Sequence, residues 1–120
     1  MQLKTDNPFD GWTHQVFGQM ASDQYGREVP PEAGIAQGWC AVGWIAKTGL
    51  LDLIGGETLW REFNQWYYTK HGRSLIEDND VHHKSPEWFR GQWNAFLDEP
   101  ISVHIRERAK RRNLDAQPAK

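Results

Sequence analysis

A chain of 120 residues and 13.9 kDa fills one domain and leaves no room for a second. With 38% hydrophobic, 12% aromatic and 25% charged residues and a mean hydropathy of -0.77, its composition is that of a folded soluble protein and excludes the disordered, collagenous and membrane classes. The net charge of -2 is unevenly spread: residues 101–120 hold six Lys or Arg against Glu107 and Asp115, a net +4, which leaves -6 on residues 1–100.

The opening MQLKTDNPFDGW lacks the apolar core of a secretion signal, and the longest apolar stretch, WCAVGWIA, is far below the roughly 20 residues a membrane span needs. A first helix is predicted to open at Asn7-Pro8 or Asp10, because Trp12, Val16, Phe17 and Met20 recur at helical spacing. Asp23–Arg27 reads as a turn, and Val29-Pro30-Pro31-Glu32 as an extended connector, since proline fixes φ and bars the preceding residue from a helix.

A second helix is predicted from Glu32 to Lys47, with Ile35, Trp39, Val42 and Ile45 as a bulky stripe. Ala36, Cys40 and Gly43 form beside it a small seam that another element can approach. Thr48-Gly49 is a stop, Leu50–Ile54 a short helical turn, and Gly55-Gly56 a break. Glu57–Lys70 is the clearest amphipathic helix, closed by His71-Gly72. Ser74–Ile76 reads as extended and Glu77–Lys84 as a polar loop. Ser85-Pro86-Glu87 carries three helix-start signals ahead of a helix to about Asp98. Pro100 separates that helix from a last one, Ile101 to about Arg112. The expected fold is mainly α: one domain over residues 1–112, a bundle of four to six helices with at most one short β-hairpin near Tyr25–Val29 and Ser74–Ile76. Residues 113–120 are expected to form a disordered tail.

The steps Gly11-Trp12-Thr13, Asp23 with Gly26-Arg27, Trp39-Cys40-Ala41-Val42-Gly43, and Ser74-Leu75-Ile76 with Asn79-Asp80 resemble a family of small actinobacterial and phage proteins of unknown function. That family shows a W-C-A-x-G step in one helix and a W-N-D step before the last; this chain departs from it at Glu77-Asp78, where the second tryptophan would fall. The resemblance covers roughly residues 11–97. It implies a helical fold and a phage or prophage setting, with no chemistry assigned.

Cys40, the one cysteine, cannot form an internal disulfide, which points to the cytoplasm. A thiol beside an imidazole is a strong nucleophile, and His82 or His83, oriented by Asp78, Asn79 or Asp80, supplies candidates for a thiol hydrolase or transferase. The competing reading is a small thiol packed mid-helix between Trp39 and Trp44, away from the helix N-terminus that would activate it. Asp78–His83 is rich in oxygen and imidazole ligands but has neither an EF-hand frame nor H-E-x-x-H, and Asn and Asp also serve turns and caps; no metal is assigned. Phosphate-binding loops and the G-x-S-x-G elbow are missing, and no cofactor is expected.

Two binding signals stand out. Arg106, Arg108, Lys110, Arg111 and Arg112 form a basic stretch able to neutralise phosphates, against which stand the acidic body and the frequency of merely solvated terminal helices. Seven Trp are too many for this interior to hide, and Trp66-Tyr67-Tyr68 must point to more than one side of their helix. A face carrying Trp60, Trp66, Tyr67 and Tyr68 is therefore the leading docking surface, against the alternative that these rings are all core. The expected function is a small cytoplasmic accessory protein of phage or prophage type that binds a host or viral protein through that face. The Cys40 enzyme and the nucleic-acid binder are the alternatives; membrane attachment is not expected.

Overall fold

The computed structural model describes residues 7–115. Residues 7–20 form turns and extended backbone where the first helix was expected. Gly11 (φ +84°) and Gly18 (φ +77°) take the left-handed conformation that interrupts a helix. The large residues there are apolar for another reason: Phe9 and Trp12 plug the core from a loop. Indole N–H groups hold that loop in place, with Trp12 Nε1 donating to the Trp39 carbonyl (2.9 Å) and Trp44 Nε1 to the Pro8 carbonyl (2.7 Å).

Strand β1 (Ala21–Ser22) pairs antiparallel with β2 (Gly38–Trp39), Ala21 opposite Trp39 and Ser22 opposite Gly38. The short hairpin is thus present, but built from other residues than expected. Asp23–Arg27 is the anticipated turn, folded around an Asp23 carboxylate that accepts from the Tyr25 and Arg27 N–H groups. Ser74–Ile76 lies elsewhere, in a helix.

Helix α1 (Ala41–Thr48) is the second half of the predicted Glu32–Lys47 helix; the first half is displaced because Gly38–Trp39 pairs in the sheet. Gly43 does what the small seam implied. A Cβ there would stand 1.9 Å from the Met20 carbonyl oxygen, so the chain leading into the sheet crosses directly over the helix. Gly49 ends α1 in the left-handed conformation, Leu50–Asp52 makes a 3-10 turn, and α2 (Gly56–His71) runs to a left-handed Gly72, all as expected.

Helix α3 (Leu75–Asp80) replaces the predicted extended and loop segment: the Ser74 hydroxyl accepts from the Glu77 N–H (3.1 Å), and Leu75 is buried. Helix α4 (Pro86–Leu97) starts as predicted, with the Ser85 hydroxyl capping the Trp88 N–H. Helix α5 (Pro100–Asp115) continues past the expected end at Arg112, so residues 113–115 are helical where a disordered tail was expected. The rest of that tail, 116–120, lies outside the described residues.

The interior is aromatic, and Phe63 of α2 is its centre. Its ring lies 4.8 Å from Trp93, 5.4 Å from Phe96, 5.7 Å from Trp60 and 6.2 Å from Phe9, in tilted and edge-on arrangements that suit ring quadrupoles. Trp12 and Trp93 are buried, and the other five tryptophans pack against this cluster half-buried. The large rings left exposed are Phe17, Tyr25 and Tyr68.

Candidate functional site

Helices α2 and α5 lie in opposite directions and approach tightly where Gly55 meets Ala109: a Cβ on Gly55 would stand 2.9 Å from that of Ala109. Between them run two hollows, of about 490 Å³ towards Trp66 and Lys70 and about 300 Å³ towards Arg108 and Arg112. Glu62 and Ile101 border both, so the two hollows adjoin and make a groove in two parts. From Gly55 to Lys70 it follows about 22 Å of α2 at 1.5 Å per residue.

The groove joins one member of the expected aromatic face to part of the expected basic stretch. Trp66 is half-buried on its wall, with Nε1 donating to Glu99 Oε1 (3.2 Å) and the Lys70 ammonium 4.8 Å above the ring. Ile101 stays 43% exposed. Arg108 and Arg112 line the other end.

The remaining predicted residues go elsewhere. Trp60 is half-buried against Phe9 and Phe63, Tyr68 is exposed, and Tyr67 is sealed in the core. The four rings therefore do not share one face, because steps of one and two residues turn a helix by about 100° and 200°. Arg106 is committed to structure, its Nη2 donating to the Leu97 carbonyl (2.6 Å) where α4 ends. Lys110 and Arg111 are exposed outside the groove. Among the described residues, none of Arg108, Lys110, Arg111 and Arg112 pairs with a carboxylate.

Sequence reasoning missed a polar cluster beneath α3. The Asp78 carboxylate is fully buried and accepts from the Tyr67 hydroxyl and from Arg73 Nε (2.5 Å) and Nη2 (3.3 Å); Trp88 Nε1 donates to the Tyr67 oxygen (2.9 Å). Burial pushes the Asp78 carboxyl up, but hydrogen bonds from Arg73 and Tyr67 outweigh it and hold the group below the usual carboxylate value. Burial, then the bond to Asp78, raises the Tyr67 phenol. Beside it, Asn79 accepts from the Ala41 N–H (3.2 Å) and Gln15 Nε2 (2.9 Å) and donates to the Val16 carbonyl (2.9 Å). The signal for this cluster was Ser74-x-x-Glu77, the spacing of a helix-capping pair.

Cys40 is not mid-helix. It caps α1, its Sγ accepting from the Gly43 N–H (3.3 Å). Burial raises its thiol, the Gly43 and Val42 N–H groups pull the other way, and the nearby Asp80 charge adds to the rise. A helix N-terminus that could activate a thiolate is thus present, yet the net effect is opposite. His82 faces Glu77 (3.5 Å) and His83 packs against Phe17 with the rings tilted (4.2 Å between centroids). Among the described residues, neither imidazole is hydrogen-bonded to Cys40.

Among the described residues no three His, Cys, Asp or Glu side chains converge to hold a metal, and no helix is long and apolar enough to cross a membrane. No family model, curated protein or solved structure matches the chain.

Proposed function

We propose that the protein is a small binding protein that docks a protein partner along the α2–α5 groove, in the phage or prophage setting its sequence resemblance implies. One observation carries the reading: Trp66 and the exposed Ile101 stand in a groove about 22 Å long whose far end carries Arg108 and Arg112, neither paired with a carboxylate among the described residues. Apolar anchors inside a polar rim are the pattern by which protein surfaces concentrate binding energy. The leading sequence expectation is kept in kind and narrowed in place, from the whole Trp60–Tyr68 face to the side of α2 that Trp66 occupies.

A second reading, nucleic-acid binding, is favoured by the exposed Arg108, Lys110, Arg111 and Arg112, which pair with no carboxylate among the described residues. Against it, Glu62 and Glu99 border the Trp66 hollow and repel a phosphate backbone that runs the length of the groove. A photoreactive residue at Gln65, an exposed position on the groove wall, separates the two. The expected result is a protein adduct in host lysate that survives nuclease treatment and disappears in Ile101→Glu. Absence of an adduct, equal adducts from a control at Ile76 on α3, or loss on nuclease treatment overturns the reading.

A further inference from the structure

We infer that the segment this groove accepts is an amphipathic helix with an apolar anchor at one end and acidic residues about two to three turns away; the inference rests on the docking reading above. Both walls are helices, whose backbone groups are already bonded within them, so the groove offers side chains and no sheet edge for an extended peptide to pair with. A partner here must satisfy its own backbone, which a helix does. The walls repeat at helical spacing, Thr58, Glu62 and Trp66 on α2 and Ile101, His104 and Arg108 on α5, leaving ridges for a third helix to pack between.

Charge sets the partner's polarity. His104, Arg108 and Arg112 occupy successive turns on one rim, while both carboxylates that line the groove, Glu62 and Glu99, border the Trp66 hollow and keep acidic residues away from that end. With -6 on residues 1–100, an acidic segment is repelled by the body and attracted to this rim, which fixes where it binds. Spacing sets the register. Arg108 and Arg112 lie about 10 and 16 Å along α5 from Ile101, so acids matching them fall about seven to eleven residues from the side chain that covers Trp66 and Ile101.

Selection from a displayed library of random peptides of about 16 residues, the length of the groove, against the full chain reads this preference without knowing the natural partner. Enriched peptides are expected to be helix-forming and acidic, to crosslink to a photoreactive residue at Gln65, and to bind the double variant R108E/R112E at least about tenfold more weakly. Against that variant the selection is expected to turn to Lys- and Arg-rich sequences. Circular dichroism melts establish that these surface variants fold. Peptides that crosslink at Gln65 but carry no acidic bias, or bind R108E/R112E undiminished, overturn the inference and leave the docking reading standing. Peptides that crosslink elsewhere, or no enrichment at all, overturn both. A labelled duplex of about 20 base pairs that competes with the peptides and loses its affinity in R108E/R112E assigns the rim to nucleic acid.

Discussion

The Tyr67 hydroxyl donates a hydrogen bond to the buried Asp78 carboxylate, tying the middle of the domain to its surface. Tyr67, on α2, sits among the rings of Phe63 and Phe89, and Asp78 is on α3; Trp88 of α4 donates to the same phenol oxygen. Three helices meet at one oxygen atom. The negative charge is balanced by Arg73, whose side chain is 32% exposed, so the pair links a dry carboxylate to a cation that still reaches water. That arrangement is stable as a unit and costly to break from one side.

Asp78→Asn keeps the volume and removes the charge, leaving Arg73 without its anion. The expected cost is about 3 kcal/mol, within the range for one-sided loss of a buried pair. Because the folded-state pKa of Asp78 is lowered, its contribution is complete above the unfolded carboxylate value and is lost as pH falls through the folded one. Urea midpoints should therefore differ most between wild type and variant at neutral pH and converge in acid, below about pH 4. A gap that widens on acidification contradicts this assignment.

Tyr67→Phe strands the Trp88 indole N–H that donated to the phenol and leaves Asp78 Oδ2 with only the longer bond from Arg73 Nη2 (3.3 Å). Loss of about 2 kcal/mol is expected with the aromatic packing intact. Equilibrium unfolding followed by tryptophan fluorescence measures it; an unchanged midpoint would mean that the phenol oxygen contributes nothing to stability.

Two glycines in helices should respond in opposite directions to alanine. At Gly43 the new Cβ would lie 1.9 Å from the Met20 carbonyl oxygen, a backbone atom that cannot step aside, so about 3 kcal/mol or more is lost as the loop over α1 is displaced. At Gly91, exposed in the interior of α4, nothing lies within 4 Å, and alanine should gain about 0.5–1 kcal/mol through helix propensity and a less free unfolded chain. Thermal melts of the two single variants distinguish them, and a destabilised Gly91→Ala would show that α4 is crowded at that point.

Legibility of the sequence followed the range of the interactions involved. Helices α2 and α4 were readable because local signals and burial agree there: glycine stops, the Ser85-Pro86 start, and Leu59 and Phe63 facing inward, although Tyr67, expected on the docking face, is buried with them. The first stretch misled because Phe9 and Trp12 are held by partners distant in sequence, as when Trp44 donates to the Pro8 carbonyl. Trp12, Val16, Phe17 and Met20 matched a helical period with no helix present. For the groove, composition flagged Trp66 and the α5 cations separately. Their meeting depends on the antiparallel docking at Gly55 and Ala109, a tertiary contact that no local pattern encodes.

Cys40 gives the last prediction. As a cap, its sulfur accepts from the Gly43 N–H, a role that serine fills with a better acceptor. Cys40→Ser should therefore keep or slightly raise stability, whereas Cys40→Ala should lose about 1 kcal/mol by freeing that N–H. The thiol is 7% exposed and raised above its ordinary value, so alkylation by iodoacetamide at neutral pH should be much slower in the native protein than in urea. A nucleophile activated by His82 or His83 would show the reverse: rapid native alkylation with an acid-shifted pH profile, and loss of function in Cys40→Ser. If alkylation is slow and crosslinking from Gln65 persists in Cys40→Ser, the sulfur belongs to the helix cap and the groove binds without it.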